Sequence, residues 1–147
     1  MSDKPVKGIN YTAIGVSFLC HDGKGNYLMH KRSEQCRDEH GTWDFGGGGL
    51  KFGEYIEDGL LREIHEEFGV APVKHTFLGF RQIHRTHEGK PTHWINFYYL
   101  AELNRPDVIN NEPHKHDELR WVTLDNMPQP LHSALMATVE EFRDKLV

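Results

Sequence analysis

Apolar residues recur at every second position from Ile14 through Val16 and Phe18 to Cys20. That period predicts a half-buried strand. The turn residues His21-Asp22-Gly23-Lys24-Gly25 follow, and 26–32 reads as the returning strand of a hairpin. Positions 33–41 form a polar loop, and 42–45 a short strand leading into Gly46-Gly47-Gly48-Gly49. The period then changes. Leu60, Leu61, Ile64 and Phe68 recur at helical spacing and predict a core-facing helix beginning near Gly53-Glu54-Tyr55. Gly69, with Val70 and Pro72 behind it, predicts where that helix stops, with glycine in the left-handed position.

Two longer strands are predicted at 73–85 and 92–103, joined by a turn over 86–91. In the second, Ile95, Phe97, Tyr99 and Ala101 share one face, and Trp94, Asn96, Tyr98 and Leu100 the other. Both faces are partly apolar, which predicts a central strand covered on both sides. Positions 104–117 are the longest irregular stretch. A last strand at 119–124 is broken by 125–130, and Leu131, Leu135, Val139, Phe142 and Leu146 mark a C-terminal amphipathic helix. Strands covered by one helix in the middle and one at the end predict an α/β/α sandwich, one domain over 1–147 with 1–10 as a loose leader.

The polar side of the middle helix carries the chemistry. Glu63, Glu66 and Glu67 stand at i, i+3 and i+4, so they project from one face. Like charges so placed repel, and a hard divalent cation bound through oxygen would relieve the repulsion. A bare acidic helix face is more often simply solvated. Here it follows a glycine run whose backbone can approach other groups closely or simply flex, and it includes Arg62, whose guanidinium can bridge carboxylates in two-point fashion. Glu54 reads either as a base or water-positioner, or as the partner that fixes Arg62.

Gly48, five residues, Glu54, seven residues, then Arg62-Glu63-Ile64-His65-Glu66-Glu67-Phe68-Gly69-Val70 fills every fixed position of the Nudix box. The segment resembles the Nudix hydrolases. Trp43-Asp44-Phe45-Gly46-Gly47 and the run from Glu118 to Pro128 resemble the MutT-like branch, and looser similarity runs from about Tyr11 to the C-terminus. The resemblance implies the same sandwich with a central mixed sheet. It implies a Mg²⁺-dependent pyrophosphohydrolase, Mn²⁺ substituting, that cleaves the diphosphate linkage of nucleoside triphosphates or related nucleotides. Cleavage of ADP-ribose or a nucleotide-sugar is the enzymatic alternative, and a non-catalytic nucleotide sensor the alternative of another class.

Within that resemblance, Glu63 and Glu67 are the first choices as metal ligands, with Glu66 as a third ligand or an outer partner. A backbone carbonyl at Gly47 or Gly48 is implied as another. Arg62 reads as scaffold. The family places a phosphate-contacting arginine at Arg32; the plain alternative is an edge-strand charge. An additional acid is implied in the loop before the last strand, where Glu112 is preferred over Asp117 and Glu118. Two positions depart from common relatives. Gly46 stands where many have proline, implying a less preorganised loop. Lys51 stands where many have glutamate, and would either weaken the metal site or contact a phosphate.

Composition narrows the setting. With 147 residues, 37% of them hydrophobic and 11% aromatic, the chain suits one packed core rather than disorder. No apolar run reaches membrane-spanning length, and no signal-peptide core follows the N-terminus. Cys20 and Cys36 are too few for a disulfide framework, so a reducing, cytoplasmic location is expected. A net charge of −5 argues against general nucleic-acid binding. It also opposes an anionic substrate unless cations and local basic residues offset it. A homodimer is a fair expectation. His114-Lys115-His116 and His84-x-x-His87 lack a third ligand at zinc spacing and read as surface or cleft-lining residues. Phe18, Trp94, Tyr98 and Trp121 read as core rather than base-stacking aromatics.

Overall fold

The computed structural model describes residues 4–147. The alternating stretch at Ile14 becomes β1 (Ala13–His21), followed by β2 (Tyr27–Arg32), β3 (Trp43–Asp44) and β4 (Gly47–Gly49). Helix α1 (Ile56–Phe68) leads to β5 (Lys74–His87) and β6 (Lys90–Glu102), then β7 (His116–Val122) and α2 (Leu135–Phe142). The sheet order is β3-β2-β1-β6-β5, with β4 also on β1 and β7 on β2. β1 and β6 run parallel over nine residue pairs and the other pairings are antiparallel, so the sheet is mixed as expected.

Each face of the sheet is closed by one helix. Val16, Phe18 and Cys20 of β1 pack with Leu60, Ile64 and Phe68 of α1 and with Tyr99 and Ala101 of β6. On the far side Leu19, Tyr98 and Leu100 pack with Leu135, Val139 and Phe142 of α2. β6 is therefore covered on both faces, as its pattern predicts. β1 is covered on both too, which corrects the half-buried reading: Leu19, set between the alternating positions, is as buried as they are. Each large side chain so enclosed contributes roughly 1.5–3 kcal/mol. Leu61, expected on the core arc, is instead 38% exposed.

The hairpin expected at 14–32 opens almost at once. β1 pairs with β2 only at His21 and Tyr27, and farther along it pairs with β4 at Gly15, Val16 and Ser17. The glycine run is therefore a sheet strand rather than a flexible loop, and β2 turns away to pair with β3 and β7. The gap between β4 and β2 becomes a cleft. Gly47 suits this strand because an added Cβ would lie 2.7 Å from the Val16 carbonyl oxygen and 3.0 Å from Ser17 Cα. Both obstacles are backbone and cannot yield. Gly47→Ala is expected to destabilise the protein by about 1–3 kcal/mol, read as a lower urea midpoint; an unchanged midpoint contradicts this packing. Gly46 has φ +136°, a value closed to proline. The Gly46 carbonyl accepts the Phe18 N–H, which ties this residue to β1.

Other boundaries shift for local reasons. β5 and β6 reach farther than predicted because Glu88 and Gly89, both at positive φ, close a two-residue turn. β7 starts at His116, three residues before the first apolar position used to place it. Leu131 forms a bridge with Trp43 and is not helical, so α2 begins at Leu135. Of the leader at 1–10, residues 1–3 lie outside the described residues. The rest is not loose: Gly8 N–H donates to the Tyr11 carbonyl, and the Gly8 carbonyl accepts from His93 N–H. That turn sets Lys7 over the Trp94 ring, 5.7 Å from its centroid.

Candidate active site

α1 ends as its sequence predicts. Gly69 sits in the left-handed region (φ 72°, ψ 14°) and its N–H donates to the His65 carbonyl. Glu57 and Asp58 in the first turn suit the positive end of the helix dipole. The last carbonyls, left without partners inside the helix, take donors from the loop after β6. Ile109 N–H donates to the Phe68 carbonyl, and Asn111 N–H to the Glu67 carbonyl. This cap delivers the next residue, Glu112, to the acidic face of α1. Asp117 and Glu118, its competitors in the sequence, are exposed on β7.

The acidic face points into a cleft of about 870 Å³ lined by β4, α1, the 33–38 loop, β5, β6 and the start of β7. Glu63, Glu66, Glu67 and Glu112 all line it. Glu67 is 3% exposed. Its Oε2 accepts the Gly47 N–H at 3.1 Å. Burial pushes its carboxyl well above the usual range, with the Glu63 charge and, more weakly, that of Glu112 adding to the effect. Burial likewise raises Glu63, opposed by the Arg62 guanidinium. Glu66 is the outward member, its side chain 42% exposed. Gly48 makes room for Glu63: a Cβ there would lie 2.3 Å from the carboxylate.

Arg62 ties this acidic group to the strand beside it. Its Nε donates to Glu54 Oε2 at 2.8 Å and Nη2 to Glu54 Oε1 at 2.9 Å. Nη1 donates to Glu63 Oε1 at 2.7 Å and approaches Glu66 Oε2 at 3.3 Å, and Nη2 also reaches the Gly49 carbonyl. Glu54 takes a further hydrogen bond from Lys51 N–H. The bonds from Arg62 hold its carboxyl down to about 2. Of its two readings, the geometry places Glu54 as the partner that fixes Arg62. The register of β4 turns the Gly47 and Gly49 peptide groups away from β1, so the Gly47 carbonyl is on the cleft side.

The cleft carries positive charge as well, and Lys115 pairs with Glu112 at 3.7 Å. Lys7, Arg32, Arg37, Lys51, Arg85 and Lys115 all line the cleft. Arg32, expected near phosphate, donates from Nε to the Asp38 carbonyl and from Nη2 to Asp38 Oδ1. Arg85 pairs with Asp38 and Glu39. Glu39 also accepts from the Ser133 N–H and hydroxyl and lies 2.9 Å from His132 Nε2. These contacts clamp the 33–41 loop across the cleft to β5 and the segment before α2. Local basic residues thus offset the overall charge of −5 where an anion would enter.

Two histidines lie beside Glu67, and of these the sequence reading did not single out His30. His116, read as a surface or cleft-lining residue, is buried and lines the cleft, and His30 of β2 faces it with ring centroids 4.0 Å apart. Only the β2–β7 register unites them, and nothing in the chain's periodicity reveals it. His84 is exposed and stacks on His93 instead. Phe18 and Tyr98 are core residues as read, whereas Trp94 is part of the cleft wall.

The Nudix domain family model matches residues 12–142. An RNA pyrophosphohydrolase from Teredinibacter turnerae is 30% identical over 122 residues, covering 74% of this chain and 69% of its own. The crystal structure of a MutT Nudix hydrolase from Burkholderia pseudomallei superposes with a TM-score of 0.78 at 31% identity, over 88% of this chain and 97% of that one. A MutT protein from Methanosarcina mazei superposes with a TM-score of 0.76 at 26% identity, over 99% and 98%. A box filled at every position, the sandwich that presents it and a family match along most of the sequence lead to one conclusion: the chain belongs to the Nudix family, in its MutT-like branch, and is a hydrolase acting on phosphoric anhydride bonds.

Proposed function

We propose that this protein is a Mg²⁺-dependent pyrophosphohydrolase that cleaves the diphosphate linkage of nucleoside triphosphates or related nucleotides, water attacking at phosphorus. The reading rests on one observation: Glu63, Glu67 and Glu112 converge in a cleft that lysines and arginines also line. The donors are carboxylate and carbonyl oxygens, the set a hard divalent cation takes. The chain leaves the buried Glu67 charge poorly compensated, so these residues fit such an ion. Glu63, Glu67 and the Gly47 carbonyl would hold it, with Glu66 and Glu112 alongside. When bound, the ion neutralises non-bridging phosphate oxygens and lowers the pKa of water.

The chain's other residues supply positioning. Arg62 and Glu54 hold α1 against β4. Glu66, outermost of the three helix carboxylates, orients the attacking water and takes its proton. The new bond forms between water oxygen and phosphorus, and the bridging P–O bond breaks with its electron pair on the leaving phosphate. Arg32 and Lys51 contact the phosphate chain. Lys51 is exposed at the mouth of the cleft, its side chain free of the Arg62 network. Lys51→Glu is expected to raise KM several-fold with little change in kcat. A lower Mg²⁺ requirement at unchanged KM contradicts this role for Lys51.

The curated relatives' name puts RNA with a terminal triphosphate on the substrate panel beside nucleoside triphosphates and ADP-ribose. Incubation with Mg²⁺ and mass identification of products separates them. Pyrophosphate plus a 5′-monophosphate is the expected outcome. A sugar phosphate instead moves the protein to the ADP-ribose or nucleotide-sugar alternative, and no turnover with Mg²⁺ or Mn²⁺ makes it a nucleotide sensor.

A further inference from the structure

Glu67 meets two imidazoles that the chemistry above does not use. His30 and His116 are each 3% exposed. His116 Nε2 lies 3.3 Å and His30 Nε2 3.9 Å from Glu67 Oε1. Both separations exceed an ordinary N–H···O hydrogen bond. One ligand atom from each of the three residues lies within 4.8 Å of the other two. Two ligands each about 2.1 Å from one tetrahedral ion stand about 3.4 Å apart, so the spacing suits atoms around a shared ion better than atoms bonded to each other. Glu67 can serve in this way because its other oxygen is the one that takes the Gly47 N–H.

We propose that His30, His116 and Glu67 form a buried site for a borderline transition-metal ion such as Zn²⁺, with its remaining coordination position open to the cleft. Two histidines and a glutamate are a recurrent zinc set. Imidazole nitrogen favours zinc, cobalt and nickel over magnesium, so the set selects a different ion from the all-oxygen group beside it. The outer nitrogens, Nδ1 of both rings, meet no hydrogen-bond partner. Ligating histidines elsewhere are supported there, and removing such a support costs about 10–100-fold in affinity. The site should therefore bind more weakly than one whose histidines are so supported.

Zn²⁺ bound here takes Glu67 Oε1 away from the hard-cation group and inhibits turnover supported by Mg²⁺. That consequence rests on the function proposed above, whereas the binding itself does not.

Titration of the metal-stripped protein with Co²⁺, followed by visible absorption, tests the site without any substrate. One ion per chain should bind with the intense bands of four- or five-coordinate, nitrogen-ligated Co²⁺, and Zn²⁺ should displace it. His30→Asn and His116→Asn, checked for folding by circular dichroism, should each weaken this binding about tenfold or more. A faint six-coordinate spectrum, or one unchanged in both variants, overturns the proposal. If the variants fail to fold, the spectrum of the unaltered protein still decides. A protein that hydrolyses nothing can pass this test, and an active one can fail it.

Discussion

Glu67→Gln is expected to lower kcat about a hundredfold and, with metal removed, to raise Tm. The two effects share a cause. An ion held by this carboxylate would stabilise charge at the transition state by several kcal/mol, and about 3 kcal/mol corresponds to two powers of ten in rate. The same carboxylate is an expensive thing to bury: it is 3% exposed and faces the charges of Glu63 and Glu112. Glutamine keeps the shape and can still accept the Gly47 N–H, but carries no charge. Activity is thus bought with stability at this position. Thermal melts in a chelator and steady-state kinetics in Mg²⁺ check both halves. A variant that loses activity and Tm together contradicts the account, because it makes Glu67 a structural residue.

Arg62→Ala is expected to act in the opposite direction on stability. It removes two bonds to Glu54, one to Glu63, the approach to Glu66 and one bond to the Gly49 carbonyl, and leaves three carboxylates without their shared cation. The guanidinium is partly exposed, so solvent screening moderates the loss. Tm should fall by several degrees and kcat by about tenfold or more, since a helix displaced by an ångström misplaces every carboxylate on it. Arg62→Lys keeps the charge but not the planar fork, and should fall between Ala and the natural residue. A lysine variant indistinguishable from the natural protein in both Tm and kcat contradicts the bracing role.

The helix and its acidic face were legible because each depends on spacing along one segment. Leu60, Ile64 and Phe68 point to the core, Glu63 and Glu67 line the cleft, and Gly69 ends the helix as its position implies. β4 was not legible, because four glycines carry no hydrophobic period and only pairing with β1 shows that they form a strand. Glu112 could be preferred in the sequence but not placed; what places it is the capping of α1 by Ile109 and Asn111. His30 and His116 are far apart in the chain and meet through the β2–β7 register, which a polar start to β7 concealed. Lys7 was lost in a segment read as loose, and backbone bonds to Tyr11 and His93 carry it to the rim. What lies within one element could be read; what depends on two elements meeting could not.

The central claim is that oxygen ligands on α1 and β4 hold a hard divalent ion that the reaction requires. Its most direct measurement is turnover of a nucleoside triphosphate panel in ¹⁸O-water, with products weighed by mass spectrometry in chelator and then in Mg²⁺. Pyrophosphate and a nucleoside monophosphate should appear, with one ¹⁸O on one product, only when Mg²⁺ is restored. Equal turnover in chelator and in Mg²⁺ would contradict the claim.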